Sequence, residues 1–278
     1  MKTVLITGGN SGIGRSTVAK LAEKGFQVVF LARNREKAEV VKREVIAATK
    51  NSAVDYILAD LTSKKQVRDS AEAFKNRYPR LDVLINNAGV CLPERRISGD
   101  GMEESFQINH LSHFMLTNLL LDHLGKSHDA RIINVSSAAY RAGSFDAENL
   151  QGEKRYSSFG IYANTKLYNI LFTLELADRL RDCGIKVNAL HPGVVGTNFA
   201  HEFGGIFKIL YRLGKPFMIS PEDGSVTSVY LASSDEVRKM TGKYFIKCKP
   251  VRLENSYLTL ENRKLLWQKS LELADMTL

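Results

Sequence analysis

Tyr162 and Lys166 are the residues whose types and spacing could do chemistry. They lie in Tyr162-Ala163-Asn164-Thr165-Lys166, where Ile161, Leu167, Ile170, Leu171 and Leu174 recur at helical spacing. A separation of four puts both side chains on one helical face. A phenol held beside an ammonium favours the phenolate. Free Tyr titrates near ~10, and acid–base work near neutrality asks for roughly 3 units less, about 4 kcal/mol of differential stabilisation. The same spacing also arises when an aromatic ring packs on a lysine stem. The pair therefore gains meaning from what the rest of the chain brings to it.

The elements that must position the pair read as alternating strands and helices. An apolar run, residues 3–7, leads into Gly8-Gly9-Asn10-Ser11-Gly12-Ile13-Gly14 and then a helix carrying Val18, Leu21 and Ala22. Strand, glycine turn and helix N-terminus together suit a pyrophosphate, because the glycines let phosphate approach unpaired backbone N–H groups. A second strand, 27–32, ends at Arg33-Asn34. A carboxylate at this point would hold a ribose 2′-hydroxyl, whereas Arg33 suits a 2′-phosphate. The expectation is NADP(H) in preference to NAD(H). Arg15 either joins Arg33 or faces solvent.

Further strands are expected at 53–58, 83–85, 131–135, 186–190 and 243–246. Helices are expected at 35–49, 63–77, 103–124, 159–181, 221–233 and 259–275. Alternation with short connections predicts a parallel sheet with helices on both faces. Asp60-Leu61 closes the third strand, where ligands bind such sheets. Asp60 either reaches an adenine amine or caps the next helix.

The 278 residues suffice for one α/β domain with a large core. No linker, composition break or repeat divides them. Three cysteines, Cys91, Cys183 and Cys248, form neither a C-x-x-C pair nor a disulfide framework, which fits a reducing compartment. No metal-ligand spacing stands out. The net charge of +9 comes from scattered basic residues without a nucleic-acid motif. No signal peptide or bilayer-spanning run is evident, so a cytoplasmic protein is expected.

Taken in order, the motifs resemble the short-chain dehydrogenase/reductase family. The matching residues are Thr7-Gly8-x-x-x-Gly12-x-Gly14, Asp60-Leu61, Asn86-Asn87-Ala88-Gly89, Asn109, Ser137, Tyr162-x-x-x-Lys166 and Pro192-Gly193-x-Val195-x-Thr197. The chain is most similar to the retinol dehydrogenase-like branch, through Phe30-Leu31-Ala32-Arg33-Asn34, Gln107-Ile108-Asn109-His110-Leu111-Ser112-His113-Phe114 and Asn149-Leu150-Gln151-Gly152-Glu153-Lys154. Many animal members carry an N-terminal membrane anchor.

The resemblance implies a Rossmann-type doubly wound parallel sheet and a single domain, 1–278. It implies Tyr162 as general acid in reduction and general base in oxidation. Lys166 lowers the phenol pKa and binds the nicotinamide ribose. Ser137 orients the substrate carbonyl or alcohol, and Asn109 holds a proton-relay water. Pro192, Gly193, Val195 and Thr197 form the loop at the nicotinamide carboxamide, with Val195 acting through its backbone and Thr197 through its hydroxyl. Ser136 and His191 read as structural. The polar segment 138–161 is longer than most members carry and is expected to wall the substrate pocket. Residues 199–219, rich in aromatic and aliphatic side chains, match the family's substrate lid; core packing ranks second and membrane contact third. The helices at 103–124 and 159–181 commonly pair family members into dimers, so a homodimer or a monomer is expected.

The leading expectation is an oxidoreductase for a small apolar alcohol, aldehyde or ketone. One alternative is a ring C=C reductase like the protochlorophyllide reductases. Another is an NADPH-binding regulatory protein without turnover, which the intact Ser137, Tyr162 and Lys166 disfavour.

Overall fold

The computed structural model describes residues 1–194 and 219–277. Eight strands form one sheet in the order β3-β2-β1-β4-β5-β6-β7-β8. They are β1 (Thr3–Thr7), β2 (Gln27–Ala32), β3 (Val54–Leu58), β4 (Val83–Asn86), β5 (Arg131–Val135), β6 (Lys186–His191), β7 (Lys243–Ile246) and β8 (Lys249–Val251). All neighbours pair in parallel except β7 and β8. The strand order reverses between β1 and β4, which creates a crevice at their C-terminal ends.

The helices are α1 (Gly12–Glu23), α2 (Arg35–Thr49), α3 (Lys64–Arg77), α4 (Glu104–Phe106), α5 (Ser112–Leu119), α6 (Leu121–Gly125), α7 (Ser158–Arg179), α8 (Pro221–Ser233) and α9 (Leu260–Leu273). Polar N-caps set several starts. Asn34 accepts from Lys37 N, Ser63 from Gln66 N, and Ser157 from Gly160 N.

Strand periodicity sorts the core into two layers. Val4, Ile6, Val28 and Phe30 point to the face covered by α1, α2 and α8. Leu5, Val29, Leu31 and Leu84 point to the face covered by α3, α5, α7 and α9. Each such side chain contributes about 1.5–3 kcal/mol when fully buried. Helix α7 is buried along most of its length, including Lys166, because the sheet, residues 104–111, the turn at 138–142 and α9 surround it.

The continuous helix expected over 103–124 is corrected in two places. Gln107–Leu111 forms a π turn between α4 and α5. Leu120, at φ −108° and ψ 3°, separates α5 from α6. Strand β8 escaped the sequence reading because Lys249-Pro250-Val251 is short and contains a proline, which only an edge strand tolerates. No helix among the described residues is long and apolar enough to cross a membrane.

Candidate active site

The turn after β1 is built for close approach. A Cβ on Gly14 would collide with the Gly8 carbonyl oxygen, so only glycine lets α1 start so near the strand. Ser11 caps α1 without a side-chain hydrogen bond, and no acidic residue occupies the first turn. The first N–H groups of this 12-residue helix, after Asn10 and at Gly12 and Ile13, therefore lack a side-chain cap. An anionic dinucleotide fits this cradle.

Arg33 is exposed and directly follows β2. Arg15 is instead paired with Glu44 at 2.7 Å. The Asn34 side chain caps α2. Asp60 Oδ1 accepts from Thr62 N at 2.9 Å and from Thr62 Oγ1 at 2.8 Å. The carboxylate thus orders its own turn, while Ser63 caps α3. The Leu61 carbonyl accepts from Ser112 Oγ at 2.6 Å, tying the β3 turn to α5.

At the end of β4, Asn87 Nδ2 donates to the Thr7 carbonyl at 2.9 Å. The backbone N–H groups of Asn87 and Ala88 both donate to Thr7 Oγ1. Asn109 holds the next residue on both sides. Its Oδ1 accepts from Val90 N, and its Nδ2 donates to Val90 O, both at 2.8 Å. Nδ2 also donates to Thr165 Oγ1 at 3.0 Å. This satisfies a fully buried amide that would otherwise be costly. Asn109 sits in the π turn, a form frequent at functional sites.

Ser137 follows β5, and its Oγ accepts from Ala139 N at 3.2 Å. Ala138 N donates to His191 Nδ1 at 3.3 Å. Burial and the nearby Arg141 charge push the His191 imidazole down to about 4, so it remains an acceptor there. Ser136 Oγ donates to the Lys166 carbonyl at 2.7 Å. Both residues fit the structural roles expected for them.

Tyr162 and Lys166 do share one face of α7. Lys166 Nζ lies 5.5 Å from the Tyr162 ring centroid and donates to the Val135 carbonyl at 3.1 Å. The Tyr162 hydroxyl hydrogen-bonds with Ser137. Gly89 stands against the ammonium; a Cβ there would lie 3.2 Å from Lys166 Nζ.

One electrostatic expectation is corrected. Burial pushes the Tyr162 phenol up to about 12, and the Ser137 hydrogen bond offsets only part of that rise. Burial also pushes the Lys166 ammonium down to about 8. Desolvation disfavours the charged form of each group.

Three contributors are given no role by the sequence. Cys91 is fully buried, with Sγ 3.4 Å from Ser158 Oγ at the start of α7, and it bears electrostatically on both Tyr162 and Lys166. Asn255 Nδ2 donates to the carbonyls of Tyr140 and Gly143 at 2.9 and 3.0 Å, bracing the turn after Ser137. His113 lies beneath the π turn. Asn255 and His113 look unremarkable in sequence because their partners are distant or backbone atoms.

Pro192 and Gly193 follow β6 at the same edge of the sheet. Val195, Thr197 and the proposed lid up to residue 218 lie outside the described residues. Ile219 N donates to the Val194 carbonyl at 2.9 Å, joining the described residues that flank that stretch.

The sequence pattern of the short chain dehydrogenase family matches residues 2–204. Retinol dehydrogenase 12 of Mus musculus is 40% identical over 272 residues, covering 98% of this chain and 86% of that protein. Retinol dehydrogenase 13 of Homo sapiens is 41% identical over 250 residues, covering 88% and 76%. An uncharacterized protein from Mycobacterium paratuberculosis superposes with a TM-score of 0.80 at 31% identity, covering 99% of this chain and 94% of that one. A short chain dehydrogenase of Shigella flexneri, solved with NADP, superposes at 0.70 with 26% identity, covering 89% and 97%. The sheet that reverses at β1/β4 belongs to the part of the chain that superposes on these solved structures. The chain belongs to the short-chain dehydrogenase family, a family of nicotinamide-dependent oxidoreductases.

Proposed function

We propose that the chain is an NADP(H)-dependent oxidoreductase that interconverts a small apolar alcohol with its aldehyde or ketone. The observation that carries this reading is the hydrogen bond between Tyr162 and Ser137, with Lys166 Nζ 5.5 Å from the phenol ring. Two hydroxyls in contact are the groups from which a substrate carbonyl oxygen could accept hydrogen bonds.

A bound nicotinamide supplies or accepts the hydride, and its oxidised ring is cationic, which favours a phenolate nearby. The protein's part is position and proton transfer. Tyr162, with a phenol held near 12, is protonated at neutral pH and suits the role of acid in reduction. Ser137 orients the carbonyl oxygen toward that proton. Lys166, pushed down to about 8, exchanges protons readily near neutrality and can reprotonate the phenol. Asn109 holds Val90 and Thr165 in place around it, and its part in the relay is to fix those groups. The exposed Arg33 guanidinium favours the 2′-phosphorylated dinucleotide.

Similarity to retinol dehydrogenases favours an apolar substrate. The face of α5 and α7 is covered by α9, where Trp267 stacks on Phe172 at 6.0 Å and meets Phe114 edge-on at 5.0 Å. That covering favours a monomer over a dimer built on those helices.

A screen of NADPH consumption over aldehydes and ketones graded by size and polarity tests the reading. Turnover should rise with apolar size. Absence of turnover across the panel, with NADPH still bound, would contradict it and favour a regulatory protein.

A further inference from the structure

His113 is 2% exposed, and no step above uses it. Both of its ring nitrogens are engaged. Nε2 lies 2.9 Å from Thr7 Oγ1, and Nδ1 lies 3.2 Å from the Asn109 carbonyl oxygen. The protonation pattern follows from counting. A threonine hydroxyl has one hydrogen and two lone pairs. Thr7 Oγ1 accepts the N–H of Asn87 at 2.8 Å and that of Ala88 at 2.9 Å. Its lone pairs are used, so its hydrogen goes to His113 Nε2. The ring hydrogen is then on Nδ1, where it donates to the Asn109 carbonyl. An imidazolium would point a second N–H at an oxygen already saturated with donors. Burial and the nearby Lys166 charge also disfavour that cation, pushing its pKa down to about 3.

The bonds on either side of the ring connect the two halves of the site. Thr7 closes β1 and fixes the Asn87–Ala88 backbone. Asn109 takes the Nδ1 hydrogen on its carbonyl, while its side chain grips Val90 and Thr165. Thr165 Oγ1 donates to the Tyr162 carbonyl at 2.8 Å and precedes Lys166 in the chain. A continuous set of directed hydrogen bonds thus runs from the dinucleotide edge of the sheet to the helix that carries Tyr162 and Lys166.

We propose that His113, as the neutral Nδ1–H tautomer, is a positioning residue that clamps the loop of residues 87–90 to α7 and so sets where Lys166 stands against the bound dinucleotide. Its consequence for turnover rests on the oxidoreductase reading; the tautomer and the clamp do not.

NMR of the imidazole nitrogens in the full chain reads the tautomer directly. His113 should show a pyrrole-type Nδ1 and a pyridine-type Nε2, unchanged from about pH 6 to 9. The opposite tautomer, an averaged signal or an imidazolium in that range overturns the proposal. Two variants separate the ends of the clamp. His113→Asn keeps a donor near the Nδ1 position and gives up the Thr7 bond. His113→Gln reaches toward Thr7 and gives up the Asn109 bond. His113→Asn should raise the KM for NADPH about 10-fold and keep most of kcat, whereas His113→Gln should lower kcat on the order of 10²-fold with little change in that KM. Equal losses in both parameters for both variants mark ordinary packing and overturn the proposal. Should either variant fail to melt cooperatively, the wild-type tautomer decides. A wild type that shows the stated tautomer yet turns over nothing contradicts the enzyme reading and leaves the clamp standing.

Discussion

Lys166 Nζ lies 5.5 Å from the Tyr162 ring centroid and donates to the Val135 carbonyl, yet both side chains pay for burial with a lost preference for charge. The sign of the resulting pH dependence can be worked out for Lys166. Its folded pKa is about 8 against an ordinary 10.5. Between those values the unfolded chain holds a proton that the folded chain has released, so this residue makes stability rise with pH. Lys166→Met lacks that dependence. The variant should be more stable relative to wild type below pH 8, and the gap should shrink by roughly 1.4 kcal/mol per pH unit at its steepest. Urea unfolding of both proteins at about pH 7 and about pH 10 measures it. A gap independent of pH would contradict the burial argument.

Arg33 is exposed directly after β2. Hydrogen bonds to charged groups contribute about 1.5–3 kcal/mol, so Arg33→Ala should weaken NADPH about 10- to 100-fold and NADH little. Fluorescence titration with both dinucleotides reads the difference. Equal loss for both would show that Arg33 does not meet the 2′-phosphate.

Asn255 braces the backbone after Ser137 from beyond the last strand. Asn255→Ala leaves two buried carbonyls under-bonded at a cost of about 1–3 kcal/mol. The Ser137 turn should loosen, lowering kcat while the affinity for NADPH stays within about threefold. Thermal melting and steady-state kinetics on the same sample separate the effects. Weakened NADPH binding with kcat kept would contradict the assignment.

Most of the fold was legible because its signals are local and ordered. The run Thr3–Thr7, the glycines at 8, 12 and 14, and the apolar strands after them announce a parallel sheet. The Tyr162–Lys166 spacing placed both residues correctly on α7. What escaped depends on contacts distant in sequence. The π turn at Gln107–Leu111 has no sequence signature, because Asn109 finds its partners in Val90 and Thr165. His113 has no assignable role in the sequence until Thr7 and the Asn109 carbonyl appear on either side of it. The raised Tyr162 phenol was missed because spacing reports a neighbouring cation and burial does not show in a sequence.

Tyr162 carries the central claim. Tyr162→Phe removes one oxygen and leaves the ring in place beside Lys166. Turnover of the best carbonyl substrate should fall by at least about 10²–10⁴-fold while NADPH binds as before. Retained turnover, with that binding unchanged, would contradict proton transfer by Tyr162.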